Sequence, residues 1–268
     1  MGDGALTDHA AAYWSSQAAR YDRWGDLAHG HPRYREAWTD ALGRLAGHPV
    51  RDGTAPRRVA DIGCGTGELA LLLATMGHRV SGYDIAPGML ERARANITAA
   101  GALNGAVDVA MAESRDLPVE DGSFDVVISR MVFWALPDPV AALAEWHRVL
   151  APGGRIVVID ALHFAQPTTA LGRLRNTASR LFWTVLGWVD RHRPAASAPA
   201  RPSGPGDGWR SVDEPANLFA AAGMPGVRVD WLDDVAAAHR KTAPLRWRLA
   251  GLLPRFYTLS WTGAEARA

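Results

Sequence analysis

The sequence predicts an α/β fold built on an open, doubly wound sheet of seven strands, and three observations carry that prediction. Apolar runs of strand length alternate with helical patterns from residue 57 to about residue 161, as in βαβ units around a parallel sheet. A glycine-rich turn, "RRVADIGCGTGELA" at residues 57–70, joins the first run to the first helix, which is where an open parallel sheet holds its ligand. Two later runs are apolar almost without interruption, as strands covered on both faces are.

The elements follow in order. Residues 5–47 carry helical patterns rich in aromatics (Tyr13, Trp14, Tyr21, Trp24, Trp38), so a helical cap over residues 1–50 is expected beside the sheet edge. "RRVADI" reads as the first strand and "GELALLLATMG" as its helix, ended by Gly77. "HRVSGYD" is the second strand, and "PGMLERARANITAAG" the second helix, opened by Pro87 and stopped by Gly101. Strands follow near "GAVDVAM", through "FDVVIS" and, after the helix "PVAALAEWHRVL", through "GRIVVIDAL". The core segment is thus residues 51–162. An insert spans residues 163–210: the helical pattern "TALGRLRNTASRLFWTVLGWVDR", then "RPAASAPARPSGPGDG", too poor in apolar residues to order itself and expected to be a mobile loop. Residues 211–268 return to the sheet with a helix at "VDEPANLFAAAG", a strand at "VRVDWL", another helical stretch and a last strand at "RFYTLSW".

Composition narrows the function. Twenty-nine basic against 28 acidic residues leave a net charge of +1, which is no electrostatic footprint for nucleic acid; a small-molecule partner is expected. The single cysteine, Cys64, excludes an internal disulfide and a cysteine-cluster metal site, and in the loop it reads as a small packing residue. No apolar stretch is long enough to span a bilayer, and "MGDGALTDHAAAYW" has no signal-peptide pattern. A cytoplasmic location is the expectation, with oligomeric state left open.

The glycine loop carries the chemistry. Gly63, Gly65 and Gly67 alternate directly before a helix, which suggests that something approaches the main chain closely. A dinucleotide site wants G-x-G-x-x-G, but the residue three after Gly65 is Glu68, whose carboxylate would meet a pyrophosphate. Asp61 instead stands two residues before the first glycine and suits a ligand with positive charge; its other reading is a hydrogen bond to the loop backbone. Asp84 ends the second strand, where a carboxylate accepts from both hydroxyls of a ribose; its other reading is a cap on the helix begun near Pro87. A nucleoside with a cationic tail satisfies both acids.

At these residues the sequence resembles the class I S-adenosylmethionine-dependent methyltransferases, nearest to the ubiquinone/menaquinone C-methyltransferase-like (type 11) branch, over about residues 55–162. "VADIGCGTG" matches the family's first motif, Asp84 in "GYDIAPGMLERAR" the acid ending strand two, "AESRDLPVEDGSFD" a third stretch, and "FDVVISRMVFWALPDPVAALAEWHRVLAPGGRIVVID" the fourth strand through the fifth. Ala112, Glu113 and Ser114 replace the family's usual Gly, Asp and Ala. The resemblance implies a Rossmann-like sheet with strands 1–5 parallel and the final strand antiparallel. It implies S-adenosylmethionine as cofactor, held by Asp61, Gly63, Gly65, Gly67, Asp84 and Ile85, with Met89, Glu113 and Ser114 near the adenine, Ser129 nearby, and Tyr21 of the cap close by.

The implied reaction is an in-line methyl transfer to a small molecule, in which alignment alone can supply about 7–11 kcal/mol. A base is then optional. It is expected near Arg130 to Trp134 or Asp160 to His163, with His163 the candidate and Asp160 its orienting partner; His147 is placed on an outer helix face. Without a strong base, the acceptor is expected to be a self-ionising heteroatom (thiol, phenol, acid or amine) or an acidic carbon of a specialised metabolite. Its shape is expected from the aromatic cap, "RMVFWALP" and the insert around Phe182, Trp183 and Trp188, which favour an apolar or aromatic molecule. The rival readings are a fold that uses the cofactor for cyclisation or decarboxylation, and a cofactor sensor. No metal is expected, since Asp233 and Asp234, the acids that would join Asp160, read as helix-capping residues.

Overall fold

The computed structural model describes residues 3–24, 31–101, 103, 105–161, 204, 209, 211–242 and 255–264. His163, Phe182, Trp183, Trp188, nearly all of the 163–210 insert and most of "RKTAPLRWRLAGLLPR" lie outside the described residues.

Helices α1 (Asp3–Trp24), α2 (Pro32–Ala46) and the short α3 (Pro49–Asp52) precede the alternating core. The core runs β1 (Arg58–Ile62), α4 (Glu68–Thr75), β2 (Arg79–Asp84), α5 (Pro87–Ala100), β3 (Val107–Met111), β4 (Phe124–Arg130), α6 (Pro139–Val149) and β5 (Leu150–Ala161). It continues through α7 (Asp213–Ala221), β6 (Arg228–Trp231), α8 (Asp233–Thr242) and β7 (Phe256–Thr262). The seven strands lie in the order β3-β2-β1-β4-β5-β7-β6. Strands β1 to β5 are parallel, and β7 runs antiparallel between β5 and β6. Strand order therefore reverses between β1 and β4, and the loop after β1 opens at that switch point.

Side-chain alternation divides the core into two layers. Val59, Val126, Ile128, Val157 and Ile159 face α2, α4, α5 and α8, meeting Trp38, Leu42, Leu73, Ile97 and Val235. Ala60, Ile62, Val127, Val158 and Leu259 face α6 and α7, meeting Leu143, Trp146 and Phe219. A parallel sheet needs this cover on both faces. β5 starts at Leu150, earlier than the apolar run suggests, because Phe124 pairs with Leu150 across a register shift before the regular ladder from Val126–Arg155.

The N-terminal cap divides. α2 belongs to the core, with Trp38, Ala41 and Leu42 fully buried. α1 is the true cap and sits on the start of α5. Its Trp14 and Ala18 pack on Ala86 and Met89, and the Ser15 hydroxyl accepts from the Gly88 amide at 3.2 Å. Gly88 permits that seat, because a Cβ there would stand 2.9 Å from the Ser15 carbonyl oxygen.

Candidate functional site

The loop from Gly63 to Gly67 is pinned to the end of β2. The amides of Gly63 and Cys64 both donate to the Tyr83 carbonyl, at 2.7 and 3.0 Å, and the Gly65 amide donates to Asp84 Oδ2 at 2.9 Å. Gly63 has φ 71°, and a Cβ on it would lie 2.3 Å from Val132 Cγ2, so the loop is pressed against the segment after β4. Gly65 also has positive φ, 54°, but no heavy atom stands within 4 Å of where its Cβ would be. One glycine serves packing; the other keeps its side of the loop clear. Gly67 opens α4 and approaches Ala93 of α5. Cys64 is buried against Gly82, and burial pushes its thiol up, which makes it the packing residue expected rather than a nucleophile.

Asp84 does more than cap a helix. Its Oδ1 accepts from the Ala86 amide at 2.8 Å while Oδ2 holds the loop, and each carboxylate oxygen retains a further lone pair for a ligand hydroxyl. Burial raises its carboxyl above the usual range, against the hydrogen bonds from Ala86, Gly65 and Ile85 that favour its charge. Ile85 thus contributes its backbone here.

Asp61 is 1% exposed and its Oδ2 has no hydrogen-bond partner among the described residues. Burial pushes its carboxyl up to about 7; Asp84 adds repulsion, while Arg130 and the Ala70 backbone favour the charge. Arg130 ends β4, reaches Glu68 Oε2 at 3.4 Å and lies 5.6 Å from the centre of the Trp38 ring. A buried carboxylate oxygen without a partner among the described residues is an acceptor that suits a cationic group. Glu68, an obstacle to phosphate in the sequence, is one partner of that arginine.

The chain leaving β4 is strained. Met131 is the one non-glycine of positive φ, 60°, among the described residues, and such outliers gather at functional sites. Its amide donates to the Ile159 carbonyl at 2.8 Å, and its carbonyl accepts from Trp134 Nε1 at 3.0 Å. The chain then forms a single 3-10 turn, Phe133–Ala135. Asp160 braces this turn, accepting from the Trp134 amide at 3.2 Å and the Ala161 amide at 2.9 Å. Burial pushes its carboxyl up to about 7. Its cross-strand partner Tyr257 has a buried hydroxyl with no hydrogen-bond partner among the described residues, raised by burial and by Asp160. His163 lies outside the described residues, so Asp160 is placed as a brace for the loop.

The remaining expected residues divide between exposed and structural positions. Tyr21 is exposed on α1 and meets Trp14 edge to face at 5.7 Å; Trp14 in turn meets Trp134 at 6.5 Å, so cap and β4 loop share an aromatic wall. Met89 is buried under α1 with Trp14, Ala18 and Ala86. Glu113 accepts from Arg115 Nε at 3.0 Å, and the Ser114 carbonyl accepts from Trp146 Nε1 at 2.9 Å. Ser129 departs from its expected ligand role: it is fully buried and its hydroxyl donates to the Ile62 carbonyl at 2.9 Å, strapping β4 to β1. His147 is exposed, stacked edge-on with Trp261. Sequence reasoning did not assign Arg130, Trp14, Ser15 or Gly88 their roles; their partners are distant in sequence, and no spacing rule signals them. Among the described residues no group of three acids, histidines or cysteines is placed to hold a metal. Asp233 and Asp234 open α8 and pair with Arg255 and Arg44.

Fold and site together define an α/β protein whose glycine loop and two acids, the buried Asp61 and the loop-holding Asp84, lie at the switch point of its sheet. Residues 60–158 match the family described as "Methyltransferase domain". Over 108 residues the chain is 44% identical to a demethylmenaquinone methyltransferase of Thermus thermophilus, covering 40% of this chain and 48% of that protein. It is 34% identical over 178 residues to a trans-aconitate 2-methyltransferase of Streptomyces coelicolor, covering 65% of this chain and 55% of that one. The chain spans about half the length of these curated relatives. A Haemonchus contortus phosphoethanolamine N-methyltransferase in complex with phosphomonomethylethanolamine and S-adenosylhomocysteine shares the fold, with a TM-score of 0.61 at 15% identity, over 97% of this chain and 61% of that one. The likeness to a methyltransferase domain is thus confined to residues 60–158, and the likeness to demethylmenaquinone methyltransferases of Thermus thermophilus and Deinococcus radiodurans covers less than half of this chain. S-adenosylmethionine is the cofactor that the resemblance of the glycine-loop motif implies. The residues present fit it: a cleared glycine edge at Gly65, a two-oxygen acceptor at Asp84 and a buried acid at Asp61 whose Oδ2 has no partner among the described residues. Among the described residues no helix is long and apolar enough to cross a membrane.

Proposed function

We propose that this chain transfers a methyl group from S-adenosylmethionine to a small-molecule acceptor, a specialised metabolite that presents a thiol, phenol, acid, amine or acidic carbon on an apolar or aromatic body. The carrying observation is the position of Asp84, which holds the loop by Gly65 while keeping acceptor capacity on both oxygens. When bound, S-adenosylmethionine supplies an electrophilic methyl on a cationic sulfonium. The chain's own residues bind and orient. Asp84 offers acceptors for ribose hydroxyls, and Asp61, with its charge favoured by Arg130, faces the cationic end. Trp14 and Trp134 wall the side from which an acceptor would approach, and the strained Met131 turn, braced by Asp160, fixes Trp134.

Several features support the acceptor class. The raised thiol of Cys64 is a poor nucleophile, and alignment of acceptor, methyl and sulfur can carry the transfer, with His163 remaining the candidate base. The relative acting on trans-aconitate is by its name an enzyme of an acidic small molecule. The near-neutral charge supports a reading with no nucleic-acid partner, and the single cysteine supports a reducing, cytoplasmic compartment.

Calorimetric titration of S-adenosylmethionine, repeated with Asp84→Ala, tests the cofactor contact. Loss of two hydrogen bonds to a charged group, ~1.5–3 kcal/mol each, should weaken binding by about a hundredfold or more. Release of S-adenosylhomocysteine with a panel of thiols, phenols, acids and amines tests the reaction. Equal affinity of the variant overturns the site, and intact cofactor with every acceptor class overturns the activity.

A further inference from the structure

A groove of about 660 Å³ lies between the end of α2 and strands β5, β7 and β6, and it shares no residue with the glycine-loop site. That volume is in the range of small-molecule sites. Its floor consists of cross-strand partners that point to one side: Arg155 with Thr262, Ser260 with Arg228, and Thr258 with Asp230. On this same face of β5, Val157 and Ile159 are apolar and buried, so the polar floor is a departure from the core pattern. Charged residues on β6 suit an edge strand, but β5 and β7 are interior, and Thr258 is fully buried with a hydroxyl that has no partner among the described residues.

The charge balance of the groove singles out one cation. Arg44 is paired with Asp234 at 2.7 Å, Arg228 with Asp230 at 2.7 Å, and Arg255, which stacks on the Trp231 ring at 4.3 Å, with Asp233 at 3.6 Å. Arg155 has no carboxylate partner among the described residues; one nitrogen donates to the Leu45 carbonyl at 3.0 Å, which uses one of a guanidinium's five donors. Trp231 pairs with Tyr257, so its ring belongs to the opposite face of the sheet and the groove is polar in character.

We propose that this groove is a second binding site, for a small organic anion whose carboxylate or phosphate headgroup is gripped by Arg155. Guanidinium forks match both headgroups with two parallel hydrogen bonds. The hydroxyls of Ser260 and Thr262 add donors beside it. The site stands independently of the methyl-transfer reading.

Titration of phenyl phosphate and of benzoate into the full chain, with phenol as the neutral control, tests it. Either anion should bind and phenol should not, and the anion preferred names the headgroup. Arg155→Met should weaken the anion by about tenfold or more, the loss of a charge-assisted contact. Because Arg155 also ties α2 through Leu45, Ser260→Leu provides a second variant: it fills the floor, leaves that bond intact and should abolish anion binding. Both variants should bind S-adenosylmethionine as the wild type does, while Asp84→Ala should lose S-adenosylmethionine and keep the anion. No anion binding by the wild type, equal binding of phenol, or unchanged anion binding in Ser260→Leu overturns the proposal.

Discussion

Replacing Gly63 and Gly65 with alanine, one at a time, should separate folding from ligand recognition within one loop. At Gly63 the backbone has φ 71° and the new Cβ would lie 2.3 Å from Val132 Cγ2 and 2.9 Å from Cγ1. A left-handed conformation costs a non-glycine residue ~1–2 kcal/mol and overpacking ~1–3 kcal/mol, so Gly63→Ala should destabilise by about 2–5 kcal/mol. Val132→Ala removes both offending methyls. The double variant should therefore recover the steric share, with a favourable coupling of about 1–3 kcal/mol, and keep the backbone share. Gly65→Ala has φ 54° and meets nothing within 4 Å, so it should cost only ~1–2 kcal/mol of stability. Its methyl, however, would enter the cleared side of the loop next to Asp84, and S-adenosylmethionine affinity should fall by about tenfold or more, the effect of a displaced hydrogen bond to a charged group. Urea unfolding followed by tryptophan fluorescence gives the stabilities and calorimetry the affinities. Strictly additive Gly63→Ala and Val132→Ala effects, or unaltered affinity in Gly65→Ala, would refute the assignment of one glycine to packing and the other to the ligand.

Two further variants probe the acids and the strap. Asp160 has its carboxyl pushed up to about 7 by burial, against 3.8 for the ordinary group, so the folded chain holds a proton that the unfolded chain releases. Stability from this group is complete below about pH 4 and is lost as pH rises towards 7, a loss of up to ~4 kcal/mol; Asp160→Asn should remove that share of the slope in urea-unfolding curves at stepped pH, leaving the similar share from Asp61. An unchanged pH slope would show that Asp160 is not protonated when folded. Ser129→Ala leaves the Ile62 carbonyl without its hydroxyl donor and should cost about 1–3 kcal/mol of stability with S-adenosylmethionine affinity unchanged; weaker cofactor binding at unchanged stability would return Ser129 to the ligand.

Periodicity and punctuation are local properties, and they made the alternating core legible. Pro87 opens α5 and Gly101 closes it, and the apolar runs at "FDVVIS" and "GRIVVIDAL" became the central strands β4 and β5, because burial on both faces leaves no polar alternation to confuse them. Asp61, Gly63, Gly65, Gly67 and Asp84 were legible as well, since the strand-to-helix turn itself places the loop at the switch point and two strand ends place the acids. The 1–50 cap was less so: an amphipathic helix shows that it has an apolar face, not what covers it, and α2 went into the core while α1 took the cap.

What the sequence determined by itself is therefore the order of elements and the glycine loop with its two acids, all set by neighbours within a few residues. Tertiary structure alone decided the rest. It brought Arg130 to Glu68, Gly88 under Ser15, Val132 against Gly63 and Asp160 beneath Trp134; it turned Ser129 inward, and among the described residues it left Arg155 without an acid in a polar groove. Each of these depends on which strand lies beside which and on the side-chain direction the register imposes, and those are set by burying the whole core at once rather than by any local run of residues.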